Sequence, residues 1–417
     1  MDNKFLDNYF FILFSLIPAS IIFGSAVSLI TILLIDISFV FLLLYKKEYK
    51  FLSNRTVKLI LLFCLYLIFN SFISNNFSIG ALRNFGFIRF GVLFCAFNYF
   101  FFYKRFFNKI FIIWSITLFI LTIDTYIESF TGKNILGYGE LYGNRIVSFF
   151  KDEAIVGWYI NSFWLIIIGY FFSLSNKFTK NYKYYILIMS LFFFFAIVLT
   201  GERSNAMKAF IGILIFYFAN DQFKINEKMF SILLLSVLFI FLINNSNFLK
   251  LRYSGQFFTP LLTIYKSDVK KVEDKHNTGF SVYFRLYQSG YNVFKNYPFF
   301  GVGNKNYRLE TCVEDKKPNY ICSTHPHQTY FEFLAEHGFV GTAIVLFFLF
   351  SLVFSKLKII FKSKNSIQTG CFIFLLSSLL PFLPSGAFFG DNNLTIFWLN
   401  LSLMYSINMK TNIFSKN

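Results

Sequence analysis

"THPHQTYFEFLAEHGFVGTAIVLFFLFSLVF" occupies residues 324–354 and changes character at Gly338. Before that glycine lie three of the chain's four histidines and two glutamates, Glu332 and Glu336. After it, residues 339–356 form an apolar run long enough to cross a bilayer core. Similar runs recur at about 9–24, 26–44, 58–74, 85–102, 110–127, 155–172, 184–199, 206–219, 229–245, 367–383 and 392–408. The chain has 417 residues, of which 56% are hydrophobic and 14% charged. Soluble domains carry about 25% charge. An all-α polytopic membrane protein of about 12 transmembrane helices is expected. The first two runs are so close that eleven spans remain open. Nothing at the start resembles a cleaved signal, since one lysine precedes the first run and another run follows at once.

The formal net charge of +18 could suggest nucleic acid. The distribution of Lys and Arg argues against it. With a cytoplasmic N-terminus, "YKKEYKFLSNRTVK" (45–58), "YKRFFNK" (103–109) and "SKLKIIFKSK" (355–364) fall inside, as the positive-inside rule requires. Short outside loops hold only scattered bases, including Arg83, Arg145, Arg203 and Lys208. Both termini are then cytoplasmic, and one large loop faces outward. The chain divides into helices 1–9 (1–245), the loop (246–338) and helices 10–12 (339–417). Loops of that length usually carry function.

Cys64, Cys95 and Cys371 fall in apolar spans, where cysteine behaves as a small hydrophobe. Cys312 and Cys322 share the outer loop. They could bridge in an oxidising compartment, remain free, or join His325 and His327 at a metal. The spacing C-x9-C-x2-H-x-H is not a usual zinc pattern.

Several constellations could carry chemistry. In "FSVYFRLYQSGYNVFKN" (280–296), Phe280, Phe284, Tyr287, Tyr291 and Phe294 share one helical face. Arg285, Gln288, Ser289, Asn292 and Asn296 share the other. The aromatic face suits a bilayer surface, which would aim Arg285 at a site. In "LTGERSNAMKAF" (199–210), Arg203 sits in a tight outer turn, as a lipid anchor or an anion ligand. Arg89 lies inside an apolar span, which makes it a phosphate ligand or a partner of Asp124. Arg145, Lys151, Asp152 and Glu153 share an outer loop, where the acids suit a helix start and Arg145 could touch substrate. His327 stands where a short helix begins. A histidine of near-neutral pKa is what a general base needs, although the ring could simply bond to the helix start.

His327-Gln328, nine residues, and then "GFVGT" (338–342) resemble the H-[N/S/Q]-x9-G-x-x-G-T pattern of bacterial O-antigen ligases and the related O-antigen polymerases. "FRLYQSGYNVFKNYPFFGVGNKNY" and "LTGERSNA" are similar to that superfamily's other landmarks, over roughly residues 140–410. The resemblance implies a GT-C-like glycosyltransferase architecture in the bacterial inner membrane, with its active site facing the periplasm. It implies inverting transfer without metal or cofactor, from an undecaprenyl-pyrophosphate-linked glycan to lipid A-core or to another lipid-linked glycan. His327 would be catalytic, and Arg203, Arg285, Arg89 and Arg145 would hold pyrophosphate or substrate. His325, Gln328, Gly338 and Gly341 would support them. The ligase is the reading taken first, and the polymerase shares the motif. A lipid-linked oligosaccharide flippase fits less well, because no internal repeat is visible.

Thiol labelling separates the three readings of the outer cysteines. A bridge leaves Cys312 and Cys322 unlabelled until reductant is added. Ready labelling of both without reductant would exclude it.

Overall fold

The computed structural model describes residues 4–139, 145–151, 153–174, 182–221, 223–258, 279–313, 319–381 and 383–415. Asp152 and the side chain of Phe280 lie outside them. The described residues are helical, without a named strand. Helices of ten residues or more are α1 (Lys4–Ile22), α2 (Ser25–Lys46), α3 (Arg55–Phe72), α4 (Phe77–Gly86), α5 (Ile88–Tyr103), α6 (Ile110–Thr131) and α7 (Val156–Ser173). They continue as α8 (Tyr182–Leu199), α9 (Arg203–Ala219), α10 (Ile225–Asn245), α11 (Gly279–Asn296), α12 (Thr329–Phe354), α13 (Ser366–Ser378) and α14 (Asp391–Ser406).

A helix lies over each of the twelve apolar runs. Nine candidate spans are long and apolar enough to cross a membrane among the described residues, with α4 and α5 forming one of them. The remaining three runs correspond to α9, α13 and α14, which are shorter or more polar. They are not peripheral. α13 packs on α7, α9 and α14, and α14 packs on α5. Gly169 of α7 meets the backbone of Ser366 and Ile367, and Gly370 of α13 meets that of Leu165. Small residues at such crossings let helix backbones approach. α7 is therefore enclosed, with 83% of its apolar window buried against 17% for α10.

The helix of the opening stretch breaks where the sequence changes character. Gly338 has φ 65° and ψ −170° inside α12. The break opens four backbone groups, and the segment Pro298–Gly303 closes them. Val302 N–H donates to Ala335 O at 3.0 Å, and Gly303 N–H to Glu336 O at 2.9 Å. Phe339 N–H donates to Pro298 O at 2.7 Å, and Val340 N–H to Phe299 O at 3.0 Å. A side chain at 338 would collide with the backbone of Phe299 and Phe300. Gly341 meets a different limit, because a Cβ there would strike the Tyr66 hydroxyl. The residues that follow this segment dock on α3 and α4. Asn304 N–H donates to Asn70 Oδ1 at 2.9 Å, and its Nδ2 to Asn84 Oδ1 at 2.6 Å. Cys312 and Cys322 are joined, with Cα atoms 4.5 Å apart.

Gly338→Ala should destabilise the protein by at least about 1–3 kcal/mol, since it combines a left-handed backbone with collision. Gly132 has φ 80° but nothing near its Cβ direction. Gly132→Ala should therefore cost clearly less. Thermal unfolding of both variants in detergent checks the difference.

Candidate functional site

A cavity of about 800 Å³ lies between the ends of α7, α9, α13 and α14, under α11 and the histidine segment. Its lining includes Arg145, Arg203, Arg252, Lys208, His325, His327, Tyr283, Tyr287 and Ser385.

Two acidic choices in the sequence build the basic wall. Glu202 is buried, and it accepts from Gly157 N–H at 2.7 Å and Trp158 N–H at 3.0 Å. A carboxylate here satisfies the open amides at the start of α7. Burial raises its pKa, while Arg145 and these amides oppose the rise. This fixed turn carries Arg203 into the wall. Arg203 Nη1 donates to Gln256 O at 2.8 Å. Arg252 donates through Nε and Nη2 to Gly201 O at 3.2 and 3.1 Å. Arg145 Nη2 donates to Ala154 O at 2.9 Å. These hydrogen bonds of the three guanidiniums go to neutral acceptors, and Arg145 also lies within electrostatic reach of Glu202. Burial, followed by the charges of Arg203 and Arg145, lowers the Arg252 pKa to about 10. An arginine stays charged in a protein, so the lowered value marks a place that favours an anion. The other acid, Asp391, borders the cavity but pairs with Arg83 and with Arg89 Nη2, the latter at 2.7 Å.

The opposite wall carries the histidines. Gln328 caps α12, its Oε1 accepting from Tyr330 N–H at 2.8 Å and Phe331 N–H at 2.9 Å. This gives a physical sense to Asn, Ser or Gln after the motif histidine, since each side chain offers an oxygen to a helix start. Gln328, and not His327, therefore serves the helix terminus. His327 takes a left-handed φ of 58°. Such backbone is uncommon outside glycine and clusters at functional sites. Ser385 N–H holds the His327 carbonyl at 2.9 Å. His325 is engaged at both nitrogens, Nδ1 with Thr324 Oγ1 at 2.9 Å and Nε2 with Ser385 O at 3.4 Å. A carbonyl only accepts, so Nε2 carries the hydrogen. Burial and the neighbouring His327 hold the His325 pKa down to about 3. The two rings are 4.0 Å apart. His327 has no ring hydrogen bond among the described residues. Its ring is the one open to a ligand, and burial lowers its pKa below 6.5. Tyr283 links the walls, with its ring 6.0 Å from that of His327 and its hydroxyl acting on Arg203 and Arg252.

The structure places several of the expected residues away from the cavity. Arg285 is exposed and does not line the cavity. α11 turns the other way: Tyr283, Phe284 and Tyr287 face the cavity. Its polar face instead holds the loop around the cysteines, with Ser289 Oγ accepting from Ile321 N–H at 3.0 Å and Asn296 bonded to Tyr320. Arg89 serves Asp391 and does not line the cavity, and it does not pair with Asp124. Asp124 instead accepts from Ser148 Oγ at 2.5 Å and Ile135 N–H at 2.9 Å. His337 is fully buried, with Nδ1 3.0 Å from the Tyr66 hydroxyl. Arg203, Arg145, His325 and His327 do come together. Arg252, Tyr283 and Ser385 join them without any motif. Arg252 follows α10 closely, so the pair of bases Lys250 and Arg252 just past a helix end was the available signal.

Residues 188–348 match a family model described as O-antigen ligase. The match supports the resemblance to the O-antigen ligase/polymerase superfamily over this region. No curated protein matches the chain. The ligase-family region is narrower than the 140–410 expected. It contains Arg203, Arg252, Tyr283, His325, His327, Gly338 and Gly341, while Arg145 and Ser385 lie outside it.

The acid limb of a reaction that draws on the unprotonated His327 ring should have its midpoint below 6.5, because burial disfavours the charged ring. A kcat profile of the purified protein between about pH 5 and 8 checks this, and an acid limb centred above 6.5 would contradict it.

Proposed function

We propose that the protein is an inverting, metal-independent O-antigen ligase. It transfers a glycan from undecaprenyl pyrophosphate to a sugar hydroxyl of a lipid-anchored acceptor, lipid A-core. The observation that carries the reading is one membrane-borne cavity with three guanidiniums on one wall and an open imidazole on the other. His327 takes the proton of the attacking hydroxyl. The hydroxyl oxygen bonds to the anomeric carbon while the bond to the pyrophosphate oxygen breaks. That oxygen keeps the electron pair, and Arg203, Arg252 and Arg145 bind the charge as it grows. A guanidinium can fork two phosphate oxygens, so arginine supplies this stabilisation without a metal. Tyr283 and Tyr287 offer aromatic faces to the sugar or the lipid.

The membrane setting follows the same reading. Twelve helices of GT-C-like arrangement cross the inner membrane, both termini are cytoplasmic, and the cavity opens to the periplasm. There the 246–338 loop sits in an oxidising compartment, which suits the Cys312–Cys322 bridge. A repeat-unit polymerase of the same superfamily would need the same base and the same anion wall. It differs only in taking another carrier-linked glycan as acceptor.

His327→Ala should lower transfer by about 10²–10⁴ at unchanged protein abundance, read as surface polysaccharide on a gel. His337→Ala should lose activity only through stability. If His327→Ala displays glycan normally, the base assignment fails. Arg203→Lys should lose more than its conserved charge suggests, because lysine cannot fork two oxygens. Turnover by purified protein should survive EDTA, and loss restored by magnesium or manganese would overturn the arginine mechanism. Supplying lipid A-core or a second carrier-linked glycan as the only acceptor distinguishes ligase from polymerase.

A further inference from the structure

The cavity has a floor as well as two walls. Ser204, Asn205 and Lys208 share one face of α9 at i, i+1 and i+4, and all three line the cavity. Lys208 lies five residues beyond Arg203, about 7.5 Å further along the helix at about 1.5 Å per residue. Asn161 of α7, Phe374 of α13 and Phe397 of α14 also line the cavity, each about one to two turns inside its own helix end. These side chains mark a floor below the level of the arginines. Lys208 is its one charged member among the described lining residues. It is partly buried and has no ion pair or hydrogen bond among the described residues. Of the three carboxylates that line the cavity, Glu202 serves the start of α7 and Asn205, Asp391 pairs with Arg83 and Arg89, and Glu153 is exposed, with no ion pair to Lys208 among the described residues.

An ammonium within an apolar span is costly unless an anion meets it. No described residue pairs with the Lys208 ammonium. Its neighbours along the floor are neutral, so the anion must come with the ligand. A lipid pyrophosphate enters tail first from the bilayer, which puts its lipid-side phosphate deeper than its sugar-side phosphate. We propose that Lys208 is a substrate-positioning residue that binds the lipid-side phosphate, while Arg203, Arg252 and Arg145 hold the sugar-side phosphate. The division of labour is chemically sensible. The sugar-side phosphate gains the new charge and meets the forked guanidiniums. The lipid-side phosphate keeps a constant charge and needs only a point cation. Lys208 should therefore govern donor binding more than the chemical step, raising KM when removed and leaving kcat nearly unchanged. This inference rests on the pyrophosphate reading of the cavity.

The test measures binding of undecaprenyl pyrophosphate, undecaprenyl monophosphate and undecaprenol to the full-length protein in nanodiscs, alongside donor KM and kcat. Lys208→Gln and Lys208→Met should weaken the pyrophosphate by about tenfold or more, with Lys208→Arg largely restoring it. The same loss should appear with the monophosphate, whose single phosphate is the lipid-side one. Arg252→Gln should instead weaken the pyrophosphate far more than the monophosphate. If Lys208→Gln and Lys208→Met, both folded by thermal unfolding, bind both phosphates within about threefold of wild type, the inference is overturned and the pyrophosphate reading stands. A loss confined to the pyrophosphate overturns the assignment to the lipid-side phosphate. If the wild-type protein binds neither phosphate better than undecaprenol, the pyrophosphate reading itself fails and the inference falls with it.

Discussion

A helix that crosses a membrane must satisfy its own backbone, because lipid offers no partners. α12 breaks that rule at Gly338 and is repaired from outside by residues 298–303. The repair is also the joint that ties the segment after α11 to the apolar helices. Its four backbone bonds fix Pro298–Gly303 against the spanning helix, and Asn304 then locks the chain to Asn70 and Asn84. α11 leads directly into this joint, and the histidine segment lies just before the broken helix. Tyr283 and His327 are therefore held on a common frame, although more than forty residues of chain lie between them. The two motif glycines have separate reasons: Gly338 gives the turn its backbone, and Gly341 makes room for Tyr66.

The second organising principle is how the acids near the cavity are used. Glu202 and Glu332 accept from backbone amides, of Gly157 and Trp158 and of Phe388 respectively. Asp391 is matched by Arg83 and Arg89. Arg145, Arg203 and Arg252 hydrogen-bond carbonyl and amide oxygens, which orient a guanidinium without neutralising it, while Glu202 offsets part of the Arg145 charge and Glu153 stays exposed at the cavity edge. The wall therefore stays positive and preorganised, which is the arrangement that stabilises charge developing on a bound group.

Much of this was legible in the sequence for plain physical reasons. Length and hydropathy decide whether a segment can cross a bilayer, and a helix lies over each of the twelve runs. α9 and α14 read weakly because polar residues such as Asn205, Lys208 and Asn393 turn inward to the cavity. Composition alone cannot distinguish a polar residue facing a cavity from one facing water. The histidine and glycine motif was legible because a cap, a break and a close approach each demand particular residue types at fixed spacing.

Which charges converge was not legible. Periodicity gave α11 two faces but not the neighbour each would meet, so Arg285 pointed to a site in the sequence and lies exposed in the fold. Arg89 and Asp391 are 302 residues apart and form one pair. Arg252 has no motif and stands in the basic wall of the cavity. The sequence by itself determined the membrane class, the helix breaks and the histidine segment, because those depend on local chemistry and on the bilayer as solvent. The tertiary structure alone decided which arginines are neutralised and which remain for a ligand, because that depends on which acids are already bound to backbone amides brought in from distant helices.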